Sequence, residues 1–411
     1  MDLPLTAAHK VWYSQAVEAL AAWVLQPKQP PTIVSTWPTA AWETFGLTAY
    51  LQGVLPLLWG MPWRSQLPPA VQAVIETGYR SNARRNQRLL DELNGLLTAL
   101  AQAGIPAMPL KGSLLLENRL YPDPALRALH DLDILVQPEQ LARATQVVQT
   151  LGYRIENRTW RHIVLHPPGA AAIVSWTQDH PDNPRPLDLH SHVREEFRGA
   201  SYDLTAQLWQ HARPRPFLGT TAWVPTTADL LHHLVAHASV SMLERLLRLV
   251  HLVDLSLMAQ RHSPDLAPLS PDGARFLYPA LGLLAHYQPQ GPLAASAAHL
   301  ATQVHAPLAA WIETSSLANR TTGADAPAPP GEMLRVWPRN RRERLLAVRH
   351  TLFHSRGELA ALYPRLSASP FFWLAHVRFW ARLLISWNGR GWHSLAQRVR
   401  ARDDAGGTHG R

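Results

Sequence analysis

The stretch Leu110–Val136, LKGSLLLENRLYPDPALRALHDLDILV, decides how the rest of the chain is interpreted. It begins with an apolar run into a Gly-Ser turn and ends in a strand-like segment that carries Asp131 and Asp133. Because side chains at i and i+2 of a β-strand share a face, both carboxylates would point to one side and Leu132 to the other. Carboxylates this close repel each other, so the pair favours a bound cation, and hard oxygen ligands suit Mg²⁺ or Mn²⁺.

The turn formed by Gly112 and Ser113 lies just upstream of these aspartates. It supplies backbone N–H groups beside a predicted helix N-terminus, and both features favour an anion such as phosphate. A phosphate-binding turn followed by cation-binding aspartates indicates nucleotidyl transfer.

The same residues resemble the nucleotidyltransferase superfamily of the DNA polymerase beta type, whose signature is a Gly-Ser turn followed by Asp-x-Asp on the next strand. Residues Leu110–Tyr153 more closely resemble a bacterial group, the uncharacterised nucleotidyltransferase family. Four features of that group are present here, namely Leu110–Gly112, Tyr121–Pro124, Arg127 and the pair Asp131/Asp133. The 17 residues between Ser113 and Asp131 exceed the usual gap of the superfamily, and the closer group shares this longer gap.

The resemblance implies an α+β fold, in which a small mixed β-sheet nucleotidyltransferase palm is flanked by N-terminal and C-terminal helical regions. It also implies a third carboxylate on a neighbouring strand that faces the Asp-x-Asp pair. Asp188 is the candidate, because it lies in the alternating, strand-like segment Pro186–Val193. His190 falls on the same face, where it would either orient a metal ligand or pack in the core.

The catalytic and metal-binding residues are therefore predicted to be Asp131, Asp133 and Asp188. They would hold two Mg²⁺ (or Mn²⁺) ions around an NTP, with ATP as the default substrate. The predicted nucleotide-binding residues are Lys111, Gly112, Ser113 and Arg127. Lys111 and Arg127 would neutralise the departing pyrophosphate; alternatively, Lys111 covers core surface and Arg127 pairs with Asp123. The acceptor is predicted to be a hydroxyl of a small molecule, or of a protein or peptide.

Three other interpretations come from the residues. A non-catalytic nucleotide-binding protein is disfavoured by the intact set of three carboxylates, and a metallohydrolase built on Asp188, His190 and His192 would not explain the Gly-Ser turn. His233 and His237 have the i, i+4 spacing of metal ligands, but no acidic ligand lies nearby in sequence, which favours core packing. Asp254 is explained equally well by a buried pair with an arginine or by substrate binding.

The basic residues are concentrated at the C-terminus. The chain has 39 Lys and Arg against 30 Asp and Glu, a net charge of +9, and residues 332–411 alone contain 15 Arg, no Lys and 5 acids. This aromatic, basic region is either a solvated face or a contact for an anionic membrane surface or RNA, as an adaptor protein would need. No cysteine is present, so disulfides are excluded. No secretory signal or transmembrane segment is recognised, which predicts a cytoplasmic protein, with peripheral membrane contact as the variant.

Composition and periodicity also suggest a domain division. The predicted parts are an N-terminal helical region (1–104), a catalytic domain (105–200), a helical domain that completes the cleft (201–319), a linker or loop (320–331) and a basic, aromatic helical region (332–411).

Within these parts, the spacing of apolar residues predicts several local elements. A second helix is predicted over 40–59, and a long third helix extends from Pro68-Pro69 to the C-cap signal at Gly104. The arginines of that third helix would form a solvated face or contact a triphosphate. A further helix is predicted over 138–150, a hairpin joins 162–166 to 171–176, and one helix capped at Thr226 extends to residue 261.

Overall fold

The computed structural model describes residues 7–26, 37–117, 120–159, 162–169, 180–262, 266, 270, 272–321, 330–353 and 372–381. The chain divides into two compact units, Met1–Pro327 and Ala328–Arg411. The first unit combines helices with a mixed five-stranded sheet, so the predicted α+β class is confirmed.

Three helices precede the sheet: α1 (Ala7–Leu25), α2 (Thr39–Leu51) and α3 (Pro69–Gln102). The prediction of a long third helix is confirmed, with proline at its first turn and Gly104 beyond its end at φ +67°. At 34 residues, α3 is about 50 Å long at ~1.5 Å per residue. The second helix ends earlier than expected, because Gly53 adopts φ +70° and packs closely against Val250.

The sheet has the order β1-β2-β5-β4-β3. Its strands are β1 (Ala107–Pro109), β2 (Leu132–Val136), β3 (Arg154–Arg158), β4 (His162–His166) and β5 (Leu187–His190). The β2–β5 pair is parallel and the other pairs are antiparallel. All five residues of β2 are buried, which places the predicted Asp-x-Asp segment at the centre of the fold rather than at an edge.

The start of one helix differs from the prediction. Helix α4 (Lys111–Glu117) begins at Lys111, so the Gly-Ser pair lies in its first turn rather than before it. The predicted hairpin joined 162–166 to 171–176; the second segment lies outside the described residues, and β4 pairs with β3 and β5. The helix predicted over 138–150 is present as a short 3₁₀ turn followed by α5 (Leu141–Thr150).

After the sheet come two hairpins that periodicity did not predict, and then further helices. The elements are β6 (Arg194–Phe197), β7 (Ala200–Asp203), α6 (Thr205–His211), β8 (Arg213–Phe217), β9 (Thr220–Val224), α7 (Thr227–Leu243), α8 (Leu249–Arg261), α9 (Gly273–Tyr287), α10 (Ala294–Ala301), α11 (Ala306–Glu313) and α12 (Leu317–Arg320). The predicted cap at Thr226 is confirmed by its hydrogen bond from the Asp229 backbone N–H. The single helix predicted after it is two helices, because Arg245 takes φ +60° between them.

The second unit contains α13 (Pro330–Val336) and α14 (Arg341–Leu352), and its other aromatic segment is described only at 372–381. Asn340 caps α14 by accepting a hydrogen bond from the Glu343 backbone N–H. Across the described parts of both units, no helix has the length and apolar character that a membrane crossing requires.

Candidate active site

Strand register brings two of the three predicted carboxylates side by side. Asp133 on β2 is the direct partner of Asp188 on the parallel strand β5. Residues paired in this way project to the same face of a sheet. Asp131 immediately precedes β2 and, by the period of two, lies on that face as well. The sheet therefore assembles Asp131, Asp133 and Asp188 on one surface.

Asp133 is buried and has two cationic or polar partners. Its Oδ1 accepts a hydrogen bond from Lys111 Nζ at 2.8 Å and lies 2.8 Å from Nε2 of His190. Burial by itself raises the pKa of this carboxyl, but Lys111 and His190 outweigh burial and hold the pKa well below its ordinary value. Asp133 is therefore ionised across the neutral range.

Asp131 responds in the opposite direction. Burial, and next the neighbouring charge of Asp133, raise the pKa of its carboxyl above the ordinary value, although Lys111 opposes this shift. Burial also disfavours the charged form of Lys111, yet Asp133 and Asp131 together raise the pKa of its ammonium. One lysine thus compensates a pair of carboxylates that repel each other.

Lys111 is held in this place by an unusual backbone. Its φ is +48°, in the left-handed region that non-glycine residues rarely adopt. A Cβ on the next residue, Gly112, would collide with Nη1 of Arg127 and lie 2.6 Å from Cδ1 of Leu129. Glycine is therefore required here by close packing. Ser113 is buried, and its hydroxyl donates to the carbonyl of Leu110 at 2.8 Å.

Arg127 pairs with Asp254 rather than with Asp123. Its Nε and Nη2 donate to the two carboxylate oxygens at 3.1 and 2.8 Å, and Tyr121 donates to the same carboxylate at 2.6 Å. Asp123 instead accepts hydrogen bonds from the Tyr79 hydroxyl and the Ala125 backbone N–H. The buried Arg–Asp pair that the sequence left open for Asp254 is therefore present.

The guanidinium of Arg127 lines the cavity, but most of its donors are engaged. Two of its five N–H groups donate to Asp254, and a third, on Nη1, donates to the carbonyl of Ala128. Tyr121 forms a further hydrogen bond with the guanidinium. The nucleotide-binding role of Arg127 stays a prediction.

Arg85 on α3 fixes the segments that precede the aspartates. It is 2% exposed, and it donates to five backbone carbonyls, namely those of Leu129, His130, His180, Asn183 and Pro184. Two of these carbonyls directly precede Asp131, and three precede β5. The sequence suggested a solvated face or a triphosphate contact for the arginines of α3, but this one is a buried structural anchor.

Basic and imidazole side chains face the carboxylates across a cavity. The palm side contributes Lys111, Gly112, Asp131 and Asp133, and the helical side contributes His237, Arg248, His251 and Asp254. The sequence did not assign Arg248 or His251, because only the packing of α7 and α8 against the palm brings them here. Burial, with Arg248 and His237, lowers the pKa of His251, so its ring is neutral.

His237 has a carboxylate partner. Its Nδ1 lies 3.2 Å from Oε1 of Glu195, which is 5% exposed on β6. His233, one turn earlier, is buried with its ring centroid 6.4 Å from that of His237, and burial lowers its pKa to about 3. The two histidines that the sequence paired by spacing therefore have different surroundings, and only His237 lines the cavity.

A histidine that the sequence analysis did not single out lies beside Asp188. His162 on β4 is the direct strand partner of His190, and its Nε2 is 3.8 Å from Oδ2 of Asp188. The sequence predicted residues 162–166 as one strand of a hairpin, but nothing in it specified β5 as the neighbour. His192, which the metallohydrolase interpretation used, lies beyond the end of β5.

Comparison with known proteins gives one family match and two weak structural similarities. The model of a family described as uncharacterised nucleotidyltransferase matches residues 38–271. The solution structure of the antibiotic-resistance factor ANT(2'')-Ia is 13% identical with a TM-score of 0.31, over 43% of this chain and 84% of that one. An antigenic nucleotidyltransferase-like protein from Paracoccidioides brasiliensis is 14% identical with a TM-score of 0.33, over 52% and 92%. A search of curated proteins finds no match.

Proposed function

Because this chain belongs to the uncharacterised nucleotidyltransferase family, and is thus an enzyme of the nucleotidyltransferase class, we propose a specific reaction for it. It transfers NMP, with AMP from ATP as the default, to a hydroxyl of a small-molecule or protein/peptide acceptor in a metal-dependent step. The proposal is carried by one observation, the placement of Asp131, Asp133 and Asp188 on one face of the sheet.

The chemistry of the donor set suits a divalent cation, although the oxygens of the three carboxylates do not all lie within 4.8 Å of one another. Three carboxylates supply hard oxygen ligands, and the raised pKa of Asp131 reflects burial and the repulsion from Asp133 that a cation would relieve. Lys111 Nζ already places a positive charge 2.8 Å from Asp133. When bound, Mg²⁺ or Mn²⁺ would polarise the transferred phosphoryl group and lower the pKa of the acceptor hydroxyl.

The protein side chains around the cavity would bind the triphosphate. The Lys111 ammonium carries charge that can neutralise phosphate, and Gly112 lines the same cavity. Arg127 and, from the opposite wall, Arg248 would add the positive charge of two guanidinium groups. We assign no phosphate contact to the Ser113 hydroxyl, since it is buried and donates a hydrogen bond to the carbonyl of Leu110.

His237 is the proposed general base for the acceptor hydroxyl. With the proton on Nδ1, which then donates to Oε1 of Glu195 at 3.2 Å, Nε2 of His237 has the lone pair that a general base needs. The arrangement is the carboxylate–imidazole pair that many hydroxyl-activating enzymes use. His237 lines the same cavity as Asp131 and Asp133, which supports a role for its ring next to the reacting groups.

The first experiment is a titration of the wild-type protein with ATP, GTP, CTP and UTP, with and without Mg²⁺, followed by intact-mass measurement. The matched variant is Asp131→Ala/Asp133→Ala. Metal-dependent NTP binding or self-nucleotidylation that disappears in the variant supports the proposal. If neither protein binds any NTP, nucleotidyl transfer by this site is refuted and an adaptor role takes its place.

A second comparison tests the base. His237→Ala should lower the rate of transfer by about 10²–10⁴-fold with unchanged NTP affinity. The control is His211→Ala, because His211 forms an equivalent pair with Asp229, with Nδ1–Oδ2 at 3.0 Å, but does not line the cavity. An equal effect of both substitutions would refute the assignment of His237.

A further inference from the structure

Two histidines and an aspartate meet where β4 and β5 pair. His162 and His190 are direct strand partners, and Asp188 lies two residues before His190 on the same face. Their side chains are 19%, 10% and 20% exposed for His162, His190 and Asp188, respectively. Among the described residues, this is the one group of three His, Asp or Glu side chains whose potential ligand atoms all lie within 4.8 Å of one another.

The distances are close to those of a coordinated ion. With metal–ligand bonds of about 2.0–2.2 Å, ligand atoms around a tetrahedral ion are about 3.3 Å apart. Nε2 of His162 is 3.8 Å from Oδ2 of Asp188, and the centroids of the two imidazole rings are 5.0 Å apart. Small side-chain rotations would therefore close the group around one ion, without a change in the strands.

We propose that His162, Asp188 and His190 form a site for a divalent transition metal ion of the zinc type rather than for Mg²⁺. Imidazole nitrogen suits Zn²⁺ and related ions, whereas Mg²⁺ prefers oxygen and water. Three protein ligands also leave a fourth position open, which is the pattern of catalytic rather than structural zinc sites.

The site is coupled to the predicted catalytic aspartates through His190. Each imidazole has two ring nitrogens, so His190 can bind an ion through one of them and keep its contact with Asp133 through the other. A carboxylate that accepts a hydrogen bond from a metal-bound histidine fixes the ring and increases its basicity. Asp133 would thus orient His190 as a ligand of the transition metal ion, and it would also bind Mg²⁺ together with Asp131.

The role of this ion rests on the proposed function, but its binding does not. If the protein transfers nucleotides, Asp188 binds the transition metal ion together with the two histidines, whereas Asp131 and Asp133 bind Mg²⁺. The two ions then differ in kind. Binding of Zn²⁺ can be measured without any nucleotide or acceptor.

The test uses the full-length protein, stripped with a chelator and titrated with Zn²⁺ against a competing zinc dye, with Mg²⁺ in excess. Because the Irving–Williams order places Zn²⁺ above Mn²⁺, Zn²⁺ is the more sensitive probe for such a site. We expect one tight equivalent that His162→Ala and Asp188→Asn each weaken by at least about 10–100-fold. The visible spectrum of bound Co²⁺ should change in both variants, through the loss of a nitrogen ligand in His162→Ala and of the carboxylate in Asp188→Asn.

The control variant is His166→Ala. His166 lies on the same strand and face as His162, but its Nε2 contacts Glu156 at 2.7 Å. It should keep the tight site, as should Asp131→Asn. Equal Zn²⁺ affinity in wild type and His162→Ala, or displacement by Mg²⁺ at comparable concentration, would overturn the proposal. Zn²⁺ binding without nucleotidyl transfer would leave this site standing and refute the proposed function instead.

Discussion

The ion pair between Arg127 and Asp254 joins the palm to helix α8, and its contribution to stability can be tested quantitatively. The two residues are 7% and 2% exposed, and Tyr121 shares the carboxylate. Asp254→Ala leaves a guanidinium buried without its charge partner, which typically costs about 3–5 kcal/mol. Replacement of both residues, as Arg127→Met/Asp254→Leu, removes both charges and should recover most of that loss.

The magnitude translates into a thermal shift. At about 2.1 cal/mol/K per residue, the unit Met1–Pro327 has an unfolding entropy of about 0.7 kcal/mol/K, so the single substitution lowers Tm by about 4–7 °C. Differential scanning calorimetry of wild type, both single variants and the double variant gives the coupling. Single variants that melt within about 1 °C of wild type, or effects that simply add, would refute the buried-pair argument.

Three more predictions concern the same region. Gly112→Ala should destabilise by about 1–3 kcal/mol through its clash with Arg127, whereas Gly95→Ala, in open space on α3, should stabilise by about 1 kcal/mol; chemical denaturation separates the two. Because the pKa of Asp131 is raised in the folded protein, its protonated carboxyl stabilises the fold below the ordinary pKa of 3.8, and this stabilisation is lost as pH rises through the raised pKa. At pH 7, Asp131→Asn should therefore raise Tm. The pKa of Asp133 is lowered, so its ionised carboxylate stabilises the fold above the ordinary value, and this stabilisation is lost as pH falls through the lowered pKa. Asp133→Asn should therefore lower Tm at pH 7. Tm shifts of the same sign in Asp131→Asn and Asp133→Asn would contradict this reasoning. Arg85→Met should cost more than about 3 kcal/mol, since it deprives five carbonyls of a charged donor, and hydrogen exchange before β2 and β5 should accelerate.

Sequence alone predicted those elements of the fold that depend on interactions between neighbouring residues. The proline start and glycine end of α3, the alternation of β5 and the Asp-x-Asp spacing are each set by neighbouring residues. The family resemblance supplied the rest of the predicted palm, including the choice of Asp188. The predicted fold class and family are confirmed, whereas the roles of the site residues and the domain boundaries stay predictions.

What the sequence could not provide depends on long-range pairing. His162 reaches Asp188 only because β4 pairs with β5, and Arg127 reaches Asp254 across 127 residues of chain. No periodicity encodes such partners, since the energy of each contact depends on which elements pack together. Arg85 was misjudged for a related reason. A buried arginine and a solvated one look alike in a helix until the carbonyls that they bind are known.

The bonds of Arg85 also define the smallest piece of this protein that could act as an enzyme. A fragment that starts at residue 105 would contain every aspartate proposed to bind metal, yet it would lack α3 and the side chain that ties the segments before β2 and β5 together. Such a fragment could form a sheet whose aspartates have no fixed separation. Truncation, domain grafting and the design of a minimal catalyst from this chain should therefore begin before Pro69 and treat the long helix as part of the palm.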